Sequence, residues 1–369
     1  MKIGIDARLW NESGVGRYTR NLVTNLQVLD KNNEYILFVL NKDYQNLKSQ
    51  ISNLKNWKLS IADIRWHTLE EQFKFPAILN KENLDLTHFP YFSVPLFYNK
   101  PFVVTIHDLI ISHFPTGEAS TLPLPLYGLK LAGYKFIINS AAKRAKKIIT
   151  VSNTTKEDIV KTLHIKEDRI VVTYEGIESI SGQNPRIKFS NYFLYVGNAY
   201  PHKNLKRLVD AFKIVRQEHK NISLLLVGKE DYFYRKLKEY VKIYNLERSV
   251  LFSGYIPDSE LTYLYQNAKA LIVPSLMEGF GLPGLEAFSN KCIVLASEIP
   301  VFKELYKDGA IYFNPLEINS IKNAMDKTFK SKLKENSDRG IELVKNFSWE
   351  KMAKETLKIY ESCLGLRPG

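Results

Sequence analysis

Cysteine is scarce: the 369-residue chain has two, Cys292 and Cys363, far apart in sequence. That excludes a disulfide-stapled scaffold, and neither residue belongs to a C-x-x-C pair. A reduced thiol pair in a cytoplasmic protein is the expected context. A long uncharged apolar run is also missing, so no membrane-spanning segment is expected. There is no basic-then-apolar leader either. Met1–Asp6 runs straight into a strand pattern, and no secretory signal is expected. Asp-x-Asp occurs nowhere, Asp85 and Asp231 stand isolated, and no His/Asp/Glu cluster has metal-ligand spacing, so neither metal nor cofactor is expected. RNP-like aromatic motifs, zinc-finger spacings and tandem basic arms are absent, which argues against nucleic acid as a partner.

What is present is an ordinary soluble composition, 45% hydrophobic, with a net charge of +13. The length suggests two domains. The basic excess fits an anionic substrate or an anionic membrane surface, and charge alone does not choose. Strand-like apolar runs alternate with helical patterns throughout: Lys2–Asp6, Tyr35–Leu40, Leu84–Phe89, Phe102–Ile106, Ile148–Ser152 and Ile170–Tyr174, then Tyr192–Val196, Ser223–Gly228, Val250–Pro257, Ala270–Val273 and Cys292–Ala296. Helices are expected over Arg17–Leu29, Thr155–Leu163, Leu205–Glu218 and Asp258–Asn267, and from Ser348, a good N-cap, to about Ser362. Asn41–Lys81 reads as polar and mixed. The Ser/Gly/Asn/Pro-rich stretch Glu178–Ser190 reads as a linker. The pattern predicts two parallel-sheet α/β domains, residues 1–180 and 181–349, with a C-terminal helix over about 350–369.

The chemistry concentrates in Pro274–Glu286. An apolar strand leads into Glu278-Gly279-Phe280-Gly281-Leu282-Pro283-Gly284, and a helical pattern follows from Leu285. Pro283 suits a first helical turn. A Gly-rich turn at a helix start offers backbone N–H groups and a dipole end to an anion. Phosphate repels carboxylate, so Glu278 and Glu286, flanking that anion site, are suited to accept hydrogen bonds from hydroxyls. A ligand with hydroxyls on both sides of a phosphate group is a nucleotide sugar. Residue by residue, the glycines could simply turn the chain and Glu286 could simply complement a helix dipole.

The stretch as a whole resembles the donor-site signature of the retaining glycosyltransferases of family 4, a Glu, seven residues and a second Glu. The resemblance covers almost the whole chain. It implies the GT-B arrangement, two Rossmann-like doubly wound domains facing across a cleft, with the donor in the second domain and the acceptor in the first. By resemblance Glu278 contacts the donor sugar, Glu286 holds the ribose, and the turn at Gly281, Leu282 and Gly284 meets the diphosphate. Lys203 occupies the position of the family's diphosphate-binding lysine. Five residues earlier the family usually carries an Arg where this chain has Asn198, so one cationic contact is lost or supplied elsewhere. Gly16, in a weak G-x-G after the first strand, would approach the diphosphate. His107, just past the carboxyl end of a buried strand, would face the donor sugar, and Gly254 and Tyr255 would lie beside the base.

The implied activity is transfer of a hexose, with retention and no metal, to a glycan or lipid-linked acceptor in bacterial polysaccharide or glycoconjugate synthesis. The run Gly197–Asn204 looks like that of mannosyltransferases, which points to GDP-mannose. An epimerase or phosphorylase on the same fold, or a non-catalytic anion-binding protein, stays open at this level. The segment Phe114–Phe136, with the cluster Lys143–Lys147 behind it, reads equally as a basic amphipathic stretch on the inner face of a membrane or as a helix with a solvated charged face.

Overall fold

The computed structural model describes residues 1–51, 55–114, 124–178, 189–330 and 333–365. The predicted linker lies almost wholly outside these residues, as do Leu122 and Pro123 of the apolar segment. The chain forms two compact units: one holds the described residues before Ile177 and those from Ser348 on, the other those of Ile177–Phe347.

The first unit runs β1 (Lys2–Asp6), α1 (Gly14–Leu29), β2 (Glu34–Val39), α2 (Asn41–Ile51), β3 (Trp57–Ile61), α3 (Leu69–Lys81), β4 (Leu86–Phe89), β5 (Phe102–Ile106), α4 (Ile110–His113), α5 (Leu124–Arg144), β6 (Lys147–Thr150), α6 (Asn153–Leu163) and β7 (Ile170–Val172). The second runs β8 (Tyr192–Val196), α7 (Leu205–Glu218), β9 (Ser223–Val227), α8 (Tyr232–Ile243), β10 (Val250–Gly254), α9 (Asp258–Asn267), β11 (Ala270–Val273), α10 (Leu282–Ser289), β12 (Val294–Ser297), α11 (Pro300–Tyr306), β13 (Ile311–Phe313), α12 (Ile318–Lys330) and α13 (Lys334–Val344). The last helix, α14 (Trp349–Cys363), returns to the first unit.

Each unit is built on one all-parallel sheet, ordered β3-β2-β1-β4-β5-β6-β7 in the first and β10-β9-β8-β11-β12-β13 in the second. Both are doubly wound: strand order reverses between β1 and β4, and again between β8 and β11. Helices cover both faces of such sheets, so the strands read as continuous apolar runs. Every residue of β5 and β11 is buried.

Three sequence expectations are corrected. Helix α1 begins at Gly14, not Arg17, so Gly16 lies in its first turn. Asn41–Lys81, read only as polar and mixed, holds α2, β3 and α3, the last capped by Thr68, whose side chain accepts from the Glu71 amide. Helix α10 opens at Leu282, not Leu285, with Pro283 in its first turn.

Helix α14 shows how the pattern builds the fold. Ser348 caps it, its side chain accepting from the Lys351 amide. Trp349, Met352, Ala353, Thr356, Ile359 and Tyr360 form its buried stripe at helical spacing. Tyr360 reaches the sheet, where its hydroxyl lies 2.6 Å from His88 Nδ1, while His88 Nε2 lies 2.8 Å from Thr105 Oγ1. Burial, with the charge of His107 second, pushes the His88 pKa down to about 3.

Candidate active site

Ligands of open α/β sheets sit beyond the carboxyl ends of strands where the strand order reverses. In the second unit that point lies between β8 and β11. The loop after β8 carries Asn198, His202 and Lys203, and the loop after β11 carries Ser275 and Glu278. These two loops meet. Lys203 Nζ lies 2.5 Å from Glu278 Oε1, and Ser275 Oγ donates to the same oxygen at 2.7 Å. The Leu276 amide donates to the His202 carbonyl at 2.7 Å. Asn204, buried and held at φ 60°, sends its amide to the carbonyls of Pro274 (3.1 Å) and Pro315 (2.8 Å), and so pins the lysine-bearing turn to the strand ends.

Burial works against charge on Glu278. The Lys203 ammonium first, then the proximity of His202 and the Lys203 and Ser275 hydrogen bonds, outweigh it and hold the carboxyl below its ordinary range. Glu278 is therefore an anion paired with a cation. Burial, helped by Lys203, pushes His202 down to about 4, so that imidazole is neutral at pH 7.

The Gly turn is shaped from beneath by a tyrosine. Gly281 has φ 111°, which favours glycine, and its carbonyl accepts from the buried Tyr306 hydroxyl at 2.5 Å. A Cβ on Gly284 would stand 2.3 Å from Tyr306 Cζ. The Gly284 amide turns inward to the Gly281 carbonyl at 3.2 Å, and Pro283 has no N–H. Of the three residues opening α10, Leu282 therefore supplies the amide suited to an anion. Glu286 follows one turn later, its Oε2 accepting from the Tyr265 hydroxyl of α9 at 2.7 Å.

Asn198, where the family carries an Arg, serves the turn: its carbonyl accepts from Tyr195 Oη at 2.6 Å and its Oδ1 from the Tyr200 amide at 3.3 Å. Gly254 has φ 74°, and Tyr255 after it is 73% exposed.

In the first unit, His107 follows β5. Its Nε2 donates to the Pro90 carbonyl at 3.0 Å, its Nδ1 lies 3.4 Å from Glu175 Oε1, and Tyr18 packs edge-on at 4.9 Å. Gly16 lies against the Leu9 and Trp10 carbonyls, 2.7 and 2.5 Å from where a Cβ would be, so the tight turn itself demands glycine there.

Sequence spacing did not reveal Ser275, Tyr265, Tyr306 or Glu175. Ser275, three residues before Glu278, carried the one available signal. The fold also brings together side chains that sequence spacing does not. Ligand atoms of Glu218, His219 and Asp326 lie within 4.8 Å of one another, brought together by the packing of α7 on α12. Lys322 already sits among them, 3.0 Å from Glu218 Oε1 and 2.6 Å from Asp326 Oδ2, so the cluster is ion-paired within the protein.

Two doubly wound domains, one with a lysine–glutamate pair and a Gly turn at its strand switch point, define a glycosyltransferase fold of the GT-B type. Comparison with known proteins bears this out. Residues 13–179 match Glycosyltransferase Family 4, and residues 177–347 match Glycosyl transferases group 1. The O-antigen chain mannosyltransferase RfbU of Salmonella typhimurium is 31% identical over 70% of this chain and 67% of its own length. O-antigen chain mannosyltransferase B of Escherichia coli is 26% identical over 95% of this chain and 96% of its own. Among solved structures, sucrose-phosphate synthase of Thermosynechococcus elongatus superposes with a TM-score of 0.76 at 19% identity, covering 98% of both chains. The chain belongs to the family 4 glycosyltransferases, and it is an enzyme. This favours transfer over the epimerase, phosphorylase and binding-protein readings.

Proposed function

We propose that this enzyme transfers mannose from GDP-mannose to a glycan or lipid-linked acceptor in polysaccharide synthesis, with retention and without a divalent metal. The observation that carries the reading is the Lys203–Glu278–Ser275 constellation at the β8/β11 switch point. The names of the two O-antigen relatives support mannose as the sugar.

Lys203 and the Leu282 amide meet the diphosphate and stabilise the charge that grows on it as the bond to the sugar breaks. Glu278 accepts from donor-sugar hydroxyls and Glu286 from the ribose. Tyr255 and Gly254 border the base. An acceptor hydroxyl attacks the anomeric carbon on the face that the diphosphate leaves. A new C–O bond forms, the old C–O bond breaks, and the hydroxyl proton passes to the departing phosphate oxygen.

The acceptor side of this proposal includes an anionic membrane surface at the inner face of the cytoplasmic membrane. No described helix is long and apolar enough to cross a membrane. Helix α5, however, leaves Leu126, Leu129 and Phe136 exposed at 55%, 73% and 64%, three and seven residues apart and so on one face. Lys130, Lys135 and Lys143 accompany them. This charge suits anionic headgroups and the apolar face suits their acyl boundary. Sedimentation with phosphatidylglycerol vesicles tests it: binding at low salt that Leu129→Asp and Phe136→Asp abolish is expected, and no binding at low salt overturns it.

The donor is tested by thermal shift against GDP-mannose, UDP-glucose and UDP-galactose, since a ligand at 100 times its Kd stabilises by about 2.7 kcal/mol. A larger shift with either UDP-sugar overturns GDP-mannose.

A further inference from the structure

The first unit has its own switch point, between β1 and β4, and three loops converge there: the one after β1 with Arg8, the one before α3 with His67, and the one after β4 with Tyr91, Phe92 and Ser93. A buried ionic chain ties them together. Arg8, its side chain 1% exposed, reaches Asp6 Oδ2 and Glu71 Oε1 at 2.7 Å each and the Ile64 carbonyl at 3.1 Å. Glu71, fully buried, accepts on Oε2 from Ser93 Oγ and from the His67 amide, both at 2.8 Å. Breaking such a buried pair by removing one partner is strongly destabilising, so these loops hold one arrangement.

The consequence falls on His67. Its backbone is held at φ 61°, a left-handed conformation that favours glycine. The residue is exposed, yet its ring stacks on Phe92 (5.3 Å, 27°) and lies nearly parallel to Tyr91 (5.8 Å, 24°). Phe92 is buried and braced from α5 by the edge of Tyr134 at 4.8 Å. A core has no need of an exposed aromatic residue on a strained backbone, and such strain gathers at functional sites. The product is a rigid aromatic shelf at the place where an α/β sheet takes its ligand. A flat aromatic face suits the C–H face of a pyranose, leaving the sugar hydroxyls to bond at the rim.

We propose that the His67–Tyr91 shelf binds a pyranose ring of the acceptor glycan. This rests on the reading of the protein as a transferase to a glycan acceptor. The test is saturation-transfer NMR of the full chain with methyl α-mannopyranoside, methyl α-glucopyranoside, methyl α-galactopyranoside and methyl β-N-acetylglucosaminide. At least one should receive saturation from the wild type. His67→Gly removes the ring and relieves the left-handed backbone. It should weaken that sugar by about tenfold, the upper range for one aromatic contact. Its melting temperature should stay equal or rise, and its stabilisation by nucleotide should not change. His67→Asn, which tolerates the same backbone, should lose the sugar equally. If none of the four sugars binds the wild type, or if binding survives His67→Gly and Tyr91→Ala undiminished, the shelf is not the site. Nucleotide-sugar stabilisation, read in parallel, separates that failure from a failure of the donor reading.

Discussion

Replacing Glu278 by Gln separates a donor-sugar contact from a merely structural carboxylate. Glu278 and Lys203 pair at 2.5 Å with side chains 13% and 17% exposed. Gln keeps the shape and can still accept from Ser275, but it leaves the Lys203 ammonium without its counter-charge. Losing one partner of a buried pair costs about 3–5 kcal/mol, and the partial exposure here puts the loss near the lower end. At about 2–4 °C per kcal/mol for a domain of this size, the second unit should melt about 6–12 °C lower. A nucleoside diphosphate brings back the missing negative charge. The variant should therefore gain more stability from GDP than the wild type does, because no carboxylate competes for Lys203. Transfer should nonetheless fall about 100-fold or more, the range for removing a polar contact to the reacting group. Calorimetric melting with and without GDP, beside a transfer assay, reads all three effects. Wild-type turnover, or GDP stabilising the variant less than the parent, would refute the assignment.

Lys203→Ala should weaken the nucleoside diphosphate far more than the nucleoside; equal losses in calorimetry would contradict a diphosphate contact. The His88 pKa is depressed in the fold, so its contribution is present above the unfolded value of about 6.5 and lost as pH falls toward about 3. The wild type should thus lose about 1.4 kcal/mol relative to His88→Asn between pH 7.5 and 5.5, read by denaturant unfolding at the two pH values, and parallel curves would show that His88 is not neutral in the fold. Transfer should persist in EDTA with the anomeric configuration kept, as read by proton NMR of the product; activity lost in EDTA and restored by Mn²⁺, or inversion, would overturn that part of the proposal.

The strands at the sheet centres were legible because parallel strands are apolar on both faces, as β5 and β11 show. The Gly turn was legible because Gly281 and Pro283 have conformational demands that few residues meet. The region Asn41–Lys81 was not. Helix α2 is rich in polar residues, β3 is an edge strand with only Trp57 buried, and α3 carries Pro76 inside it, which reads as a breaker. At the site, Lys203 and Glu278 could each be singled out as residues, but their pairing joins positions 75 apart and depends on the strand order that brings β8 beside β11. Tyr306 and Tyr265 act from helices whose patterns declare only burial, so no sequence spacing marks them.

Charge neutralisation links the proposed donor turn to the rest of the second unit. A carboxylate beside a diphosphate calls for a counter-charge, and a divalent cation is one way to supply it. Here two carboxylate sites are filled by lysines: Lys203 faces Glu278, and Lys322 bridges Glu218 and Asp326. A lysine supplies a single positive charge through a flexible stem and donates hydrogen bonds that a metal cannot. Under the proposed function, this has a mechanistic use at Glu278. When the diphosphate arrives, the ammonium can turn from carboxylate to phosphate without leaving the site, and the released carboxylate oxygen is then available to a sugar hydroxyl. A single swing of Lys203 would couple diphosphate capture to sugar orientation, so the nucleoside diphosphate and the free sugar should bind the wild type cooperatively and bind Lys203→Ala independently.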